Sequence, residues 1–313
     1  MTPALGLDVG GSLLKAVLID DEDAVVRTER HPVPATEVLG FVCSIVGRFV
    51  QSDDIGSVGL GLAGLVSHPA GEFVWGPHLE GEAVPYRSVL SDLTGLDVAV
   101  DNDANFAAYA EWKIGAGEGR DPLLAVTLGT GIGIGLVIGG RIYHGTSFAG
   151  EAGHMRMQDP GRPCSCGRTG CWETLVSGMV LDEAMLAVIE RNPHGTMAAI
   201  VGDRAPTGAD LVEAARSGDT SATEALIEAG EWLGRGLVSL SLMLDPACIV
   251  VGGGAATAGE LLLDPARRIL SEELPGAAVR PAVPLVRAAL GPLAGAVGAA
   301  LVGREVQNDR DDR

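Results

Sequence analysis

The chain has 313 residues, 47% of them hydrophobic, and a formal net charge of −19. Its length suits two domains or one large α/β unit, and its acidity disfavours binding to nucleic acid or an anionic membrane, since Lys and Arg usually bind phosphates. No apolar run is long enough to span a membrane, and the first residues lack the basic segment of a signal peptide. We therefore expect a cytoplasmic protein without disulfides.

Apolar runs separated by glycine turns predict two hairpins. Residues 4–9 and 13–19 flank a Gly-Gly-Ser turn, and a similar unit with a glycine-rich turn covers residues 123–138. Their similarity suggests two halves built on one plan.

Strands and helices alternate along the rest of the chain. Residues 57–66 and 97–100 predict strands, and residues 102–115 predict a helix that ends at a glycine. Thr207 and Asp210 predict a capping box for a further helix. The later predictions are a long helix, a strand, a helix, a strand and a final helix, at residues 225–240, 247–254, 263–274, 283–290 and 295–306. This alternation predicts an α/β protein.

Three glycine turns at strand ends are candidate phosphate sites. Backbone N–H groups in such turns can hold phosphate oxygens, and an aspartate beside them can hold a divalent cation. Each turn alone is a weak signal, and a plain hairpin is slightly favoured for the first of them, but three together suit a nucleotide held between two halves. The residues concerned are Asp8, Gly10, Gly11, Ser12, Thr130, Gly131, Gly253 and Gly254.

Polar residues crowd the junction of the strand at 97–100 and the helix that follows it. Asp101, Asn102, Asp103 and Asn105 lie within five positions, and one of them is expected to cap the helix. An Asn–Asp pair there can also bind sugar hydroxyls, and the aspartate can accept a proton from one of them. The local sequence leaves open whether the group only caps the helix or has both roles.

One histidine and three of the five cysteines lie close together in the sequence. His154, Cys164, Cys166 and Cys171 supply the one nitrogen and three sulfurs of a closed structural zinc site. A disulfide would need an oxidising compartment, and a redox pair usually has Cys-x-x-Cys spacing, so zinc is favoured. Cys43 and Cys248 lie in apolar runs and are expected in the core.

Two glutamates flank this cysteine loop. Glu151 and Glu173 are compatible with ordinary surface carboxylates. A loop made rigid by a metal would instead hold both in fixed positions, as a binding site requires.

Five segments together resemble the ROK family (repressor, open reading frame, kinase), and its bacterial glucokinases in particular, from about residue 5 to about residue 303. They are LDVGGSLLKAVLID, DNDANFAAYAEW, LGTGIGIGLVIGGRIYHG, GEAGH and CSCGRTGCWE. The resemblance implies an actin-like, hexokinase-like (ribonuclease H-like) α/β fold of two domains with a cleft between them. Residues 1–104 with 291–313 would form the small domain, and residues 105–290 the large domain with the zinc loop.

The same resemblance implies an ATP- and Mg²⁺-dependent kinase acting on the 6-hydroxyl of a hexose, with glucose the leading candidate, and a homodimer. Asp103 would be the general base, and Asn102, Glu151, His154 and Glu173 would bind the sugar with it. His154 would also bind zinc together with the three cysteines. The phosphates and Mg²⁺ would lie against Asp8, Gly10, Gly11, Ser12, Thr130 and Gly131, and the nucleotide near Gly253 and Gly254.

The sequence is also compatible with other substrates and with another class of function. Residues 77–90 lack the Asn and Trp that many relatives carry, so another hexose or an N-acetylhexosamine is an alternative substrate, and polyphosphate an alternative donor. A non-catalytic sugar-binding regulator is the alternative from another class. Repressors of the family carry a helix-turn-helix domain before the first glycine turn, whereas Asp8 lies almost at the start here and the charge is acidic, which argues against that role.

Overall fold

The fold is described from a computed structural model, which describes residues 2–311. Two compact units are defined by their internal contacts. Unit 1 comprises Met1–Gly119, Gly135–Gly150 and Ala289–Arg313, and unit 2 comprises Arg120–Ile134 and Glu151–Ala288. The domain boundaries that the sequence predicted stay a prediction.

Unit 1 is built on a five-stranded sheet with the order β3-β2-β1-β4-β7. The first three strands form antiparallel pairs, whereas β1, β4 and β7 are parallel. The strands are β1 (Ala4–Val9), β2 (Leu13–Ile19), β3 (Val25–Pro32), β4 (Ser57–Leu62) and β7 (Asp97–Asn102), and a separate small hairpin is formed by β5 (Leu65–Ser67) and β6 (Glu72–Trp75). The helices are α1 (Val38–Ser52), α2 (Tyr86–Thr94), α3 (Asp103–Ile114) and α9 (Ala294–Asp311).

A second five-stranded sheet has the order β10-β9-β8-β11-β12. Its strands are β8 (Leu123–Leu128), β9 (Ile132–Ile138), β10 (Arg141–Ile142), β11 (Cys248–Gly252) and β12 (Leu285–Arg287). The helices of unit 2 are α4 (Gly178–Arg191), α5 (Thr196–Val201), α6 (Gly208–Arg216), α7 (Thr220–Leu244) and α8 (Glu260–Glu273). Short 3₁₀ helices cover Glu151–His154, Trp172–Thr174, Gly254–Ala258 and Gly291–Leu293.

The two sheets repeat one topology. Each begins with three consecutive strands in antiparallel order and then adds two later strands beside the first of them. The α/β prediction and the prediction of two similar halves are therefore confirmed. No helix within residues 2–311 is both long and apolar enough to cross a membrane.

Alternation along β1 divides the core of unit 1 into two layers. Leu5, Leu7 and Val9 pack with residues of α1 on one face of the sheet. Ala4 faces the other side and packs with Tyr109 of α3 and with α9. This two-residue period is what a strand covered on both faces requires.

Helix α9 lies unusually close to the sheet because glycines meet it there. A Cβ atom added at Gly59 of β4 would overlap the carbonyl oxygen of Ala299 in α9, and one at Gly298 would overlap the carbonyl oxygen of Phe106 in α3. The backbones therefore touch without intervening side chains. A methyl group at either position requires the helix to move.

We expect Gly59→Ala to lower the free energy of unfolding by about 1–3 kcal/mol, because overpacking forces backbone shifts. The matched control is Gly47→Ala in α1, where an added Cβ has no neighbour within 4 Å; it should raise stability by about 0.5–1 kcal/mol, since glycine disfavours a helix. Thermal midpoints of both variants check this. An unchanged midpoint for Gly59→Ala would contradict the close packing.

Candidate active site

Parallel strands bring predicted site residues of unit 1 to the same end of the first sheet. Asp8 of β1 and Asp101 of β7 share the register position of Gly61 in β4, which lies between them. Asn102 and Asp103 follow Asp101 directly. The carboxyl ends of adjacent parallel strands are where α/β proteins commonly bind ligands.

Asn102 is the cap of helix α3. Its Oδ1 accepts hydrogen bonds from the N–H groups of Ala104 (2.9 Å) and Asn105 (3.3 Å), and its Nδ2 donates to the Gly64 carbonyl oxygen (3.1 Å). The expected capping role is therefore confirmed. One N–H of the amide stays free of these bonds and could reach a ligand.

Asp103 is the first residue of α3 and is half-buried. Its Oδ1 accepts a hydrogen bond from the Ala104 N–H at 2.9 Å. Burial, followed by repulsion from Asp8, raises the pKa of the Asp103 carboxyl to about 7, against the opposing effects of that hydrogen bond and of Lys15. A carboxylate with such a pKa can accept a proton near neutral pH.

Lys15 is a site residue that the sequence analysis missed. It is the cross-strand partner of Asp8 in the first hairpin, and its Nζ lies 2.7 Å from Asp8 Oδ2. Lys15 and Lys113 are the lysines of a chain whose other cationic side chains, histidine aside, are arginines. The rarity of lysine was the signal that the sequence offered. Only the register of the hairpin shows that Lys15 lies opposite Asp8.

Helix α9 begins beside Asp8. A Cβ atom added at Gly295, in the first turn, would lie 3.1 Å from Asp8 Cγ and 3.5 Å from the Asp103 carbonyl oxygen. The N-terminal N–H groups of a helix carry partial positive charge, which favours a carboxylate nearby. Gly295 is therefore a second residue that the sequence analysis missed.

The first glycine turn closes the hairpin of β1 and β2. The Gly10 N–H donates to the Leu13 carbonyl oxygen at 3.1 Å, so this group is used by the turn itself. Gly11 and Ser12 are exposed. A Cβ at Gly11 would lie 2.6 Å from His78 Cβ, so the segment that carries His78 approaches the turn closely.

In unit 2, the turn at Thr130 lies against Glu173. The Gly129 N–H donates to the Gly131 carbonyl oxygen at 3.0 Å, and Thr130 is exposed at the tip. A side chain at Gly131 would overlap Glu173 Oε2. The structure thus brings together Thr130, Gly131 and Glu173, which the sequence had placed in two different subsites.

A cavity of about 230 Å³ lies next to this turn in unit 2. It is lined by the end of β8, the first residues of α4 and α6, and the 3₁₀ helix that begins at Gly254. Gly253 has φ +83°, and a Cβ there would lie 2.5 Å from backbone atoms of Leu128. Only glycine suits this position, and it lets two chain segments meet at the wall of the cavity.

His154 and the three loop cysteines form one cluster, and their ligand atoms all lie within 4.8 Å of one another. Cys164 Sγ is 3.5 Å from His154 Nδ1, and Cys166 Sγ is 3.6 Å from Cys171 Sγ. A tetrahedral zinc site places its ligand atoms about 3.5–3.8 Å apart, from Zn–S and Zn–N bonds of about 2.3 and 2.0 Å. The donor set and spacing therefore fit zinc, and all five cysteines are free of disulfides.

The backbone of the cysteine loop is held in place by turns and by a buried tryptophan. Gly167 and Gly170 have φ values of +85° and +75°, which side chains rarely adopt. Trp172 is fully buried, and its Nε1 donates to the carbonyl oxygen of Trp232 in α7 at 2.8 Å. The loop is thus anchored on the longest helix of unit 2.

Both predicted glutamates lie next to His154. Glu173 Oε1 is 3.4 Å from His154 Nδ1 and accepts from Cys164 Sγ at 2.8 Å. Glu151 Oε2 is 3.9 Å from His154 Nε2, on the other side of the ring. One ring nitrogen therefore faces the cysteines, and the other faces Glu151.

The sequence matches the ROK family over residues 4–305. A glucokinase of Streptomyces coelicolor is 35% identical over 308 residues, which are 96% of this chain and 97% of that protein. The crystal structure of a ROK family glucokinase from Streptomyces griseus in complex with glucose and AMPPNP matches with a TM-score of 0.87 at 35% identity, over 97% of this chain and 99% of that one. A ROK family transcriptional regulator, a homologue of the Escherichia coli MLC protein, matches with a TM-score of 0.86 at 25% identity, over 98% of this chain and 78% of that one.

These matches cover nearly the whole chain, so they apply to both units. The similarity to the Streptomyces griseus structure confirms the predicted actin-like, hexokinase-like fold. The family match and the glucokinase relative together establish that the chain belongs to the ROK family.

Proposed function

We propose that this protein transfers the γ-phosphoryl group of ATP to the 6-hydroxyl of glucose. The observation that carries the proposal is Asp103, a half-buried carboxyl whose pKa is raised to about 7 at the start of a helix. Two glucokinase relatives that match over almost the full chain support it, one of them solved with glucose and AMPPNP.

Asp103 accepts the proton of the 6-hydroxyl as that oxygen attacks the γ-phosphorus. Phosphoryl transfer depends mainly on positioning and on stabilising negative charge. Asn102 offers its remaining amide N–H to the sugar, and Glu151, His154 and Glu173 bind other hydroxyls. The ring and carboxylate contacts described above fix the directions in which these groups present donors and acceptors.

The phosphates are held by the two glycine turns. Hydroxyl groups come from Ser12 and Thr130, and backbone N–H groups from Gly11 and Gly131. Gly10 shapes the first turn. Gly254 lines the 230 Å³ cavity that receives the nucleoside, and Gly253 directly precedes it. Lys15 adds a positive charge beside Asp8.

Asp8 would hold Mg²⁺, since its carboxylate lies at the strand end and is a hard oxygen ligand of the kind that Mg²⁺ prefers. When bound, the ion neutralises charge on the phosphates. His154, Cys164, Cys166 and Cys171 would hold a structural zinc ion, which fixes the shape of the sugar pocket. We also propose that the protein is cytoplasmic and, as the family resemblance implies, a homodimer.

The choice of substrate has its own test, because residues 77–90 depart from many relatives and the matches include a regulator. Release of ADP should be measured over glucose, mannose, fructose, allose, N-acetylglucosamine and N-acetylmannosamine. We expect the highest kcat/KM for glucose. Absence of turnover on every sugar, with ATP or polyphosphate, would favour a sugar-binding regulator instead.

We expect Asp103→Asn to lower kcat about 10²–10⁴-fold, the range for loss of a general base, while the glucose dissociation constant changes only a few-fold. A coupled ADP assay and calorimetry provide the two values. The matched control is Asp54→Asn, an exposed carboxylate in unit 1, which should leave both values unchanged. An active Asp103→Asn enzyme would mean that another group is the base.

The rate should also depend on pH in a defined direction. Because the pKa of Asp103 is raised to about 7, the carboxyl becomes protonated and inactive as pH falls through that value, so kcat/KM should fall below about pH 7. Lys15 lowers the pKa of Asp103, so Lys15→Met should move this acid limb to higher pH. An acid limb near pH 4 in the wild type would contradict the role of Asp103.

Metal analysis of the purified protein should find about one zinc ion per chain, since the four ligands form one site. Cys171→Ser should lose the zinc and lower the thermal midpoint, whereas Cys43→Ser, in helix α1 of unit 1, should keep the metal. A zinc-free wild type with the same thermal midpoint as a zinc-loaded sample would refute the site.

A further inference from the structure

A cluster beside the end of β7 is formed by His68, Asp101 and His144, and Asp101 lies two residues before Asp103. All three lie in unit 1, and their side chains bring possible metal-ligand atoms within 4.8 Å of one another. The mechanism above uses none of them. Their sequence positions are far apart, since His68 precedes β6 and His144 follows β10.

Asp101 is the centre of this cluster. It is buried, and its Oδ1 accepts from the Asn102 backbone N–H (2.7 Å) and from Asn105 Nδ2 (2.9 Å). Its Oδ2 lies 2.6 Å from His144 Nε2. Because a carboxylate only accepts, Nε2 carries the proton and donates it to Asp101.

The two histidine rings are stacked face to face. Their centroids are 3.6 Å apart, and their planes differ by 5°. A metal ion binds the lone pair that lies in the plane of each imidazole, and two parallel rings at this separation cannot direct those lone pairs at one point. The cluster is therefore a hydrogen-bonded stack and not a metal site.

The stack also joins three segments of unit 1. His68 donates its backbone N–H to Ser147 Oγ at 2.8 Å, and the Ala149 N–H donates to the His144 carbonyl oxygen at 3.1 Å. Burial, and then the neighbouring His144, lower the pKa of His68. The lowered pKa favours the neutral form of the His68 ring, which stacks on His144. The segment 143–150 is thereby held against the end of β7.

We propose that His144 is a positioning residue for phosphoryl transfer: stacked on His68, it donates to Asp101 and so fixes the strand end that presents Asn102 and Asp103. The inference rests on the proposed kinase function. Without the bond to His144, the Asp101 side chain keeps its hydrogen bonds to Asn102 and Asn105 of its own segment and loses the one to another segment. The Asn102 backbone and the helix start can then shift. Misplacement of a catalytic group by about 1 Å can cost about 10²-fold in rate.

Two amide variants test this bond. Gln at position 144 places an amide N–H where Nε2 lies, whereas Asn is one methylene shorter and cannot reach Asp101. We expect His144→Asn to lower kcat about 10- to 100-fold with the KM for glucose within about threefold, because the base is misplaced while the sugar contacts of Glu151, His154 and Glu173 remain. His144→Gln should recover most of the wild-type rate.

Hydrogen exchange measures the positioning directly and does not depend on turnover. In His144→Asn, exchange should accelerate in peptides that cover residues 98–106, where the Asn102 N–H is bonded to Asp101. The matched control is His31→Asn, since His31 makes a similar bond to Glu29 (2.8 Å) on β3, at the opposite edge of the same sheet from β7. That variant should change neither kcat nor exchange at 98–106.

The outcomes separate the two proposals. An inactive wild type would refute the kinase function, while the exchange experiment would still decide whether His144 orders the strand end. Equal rates for wild type and His144→Asn, or equal losses in the Gln and Asn variants, would overturn the positioning role. Loss of bound metal from His144→Asn would identify a metal site and would also overturn it.

Discussion

Burial of the Asp103 carboxyl, together with repulsion from Asp8, is the constraint on which the candidate site in unit 1 depends. The two groups lie at one end of the first sheet, and their repulsion adds to burial in raising the pKa of Asp103. Two positively charged groups lie beside Asp8: Lys15, across the hairpin, and the N-terminus of α9. With these groups beside Asp8, the pKa of the Asp103 carboxyl is still raised to about 7.

This arrangement requires helix α9 to lie very close to the sheet, and the small residues of the final helix make that possible. Gly295 lets the first turn approach Asp8, and Gly298 lets the helix meet α3 directly. A larger side chain in either place would move the helix end away from the carboxylates. The close packing of α9 is therefore needed to keep its first turn beside the Asp8 carboxylate.

The two units hold their proposed functional side chains by different means. In unit 1, Asp101 and the stacked histidines surround the strand end with hydrogen bonds. In unit 2, the cysteine cluster and the buried Trp172 fix a loop that has little regular structure of its own.

Local patterns predicted the first hairpin, the capped helix α3, the capping box at Thr207 and Asp210, and the grouping of His154 with three cysteines, all of which the structure contains. Strand β3 was missed because it is an edge strand with no buried residue, so it lacks an apolar face. The strand predicted at 283–290 is shorter, Leu285–Arg287. Lys15 and His144 could not be found, since their partners are set by strand register and by contacts 43 residues apart in the chain.

The most direct measurement of the central claim is a titration of the Asp103 carboxyl by carbon-13 NMR in the wild type and in Asp8→Asn. We predict a pKa near 7 in the wild type and a lower pKa in Asp8→Asn, because repulsion from Asp8 raises the pKa of Asp103. An Asp103 carboxyl that titrates near the ordinary value of about 4 in both proteins would contradict the account.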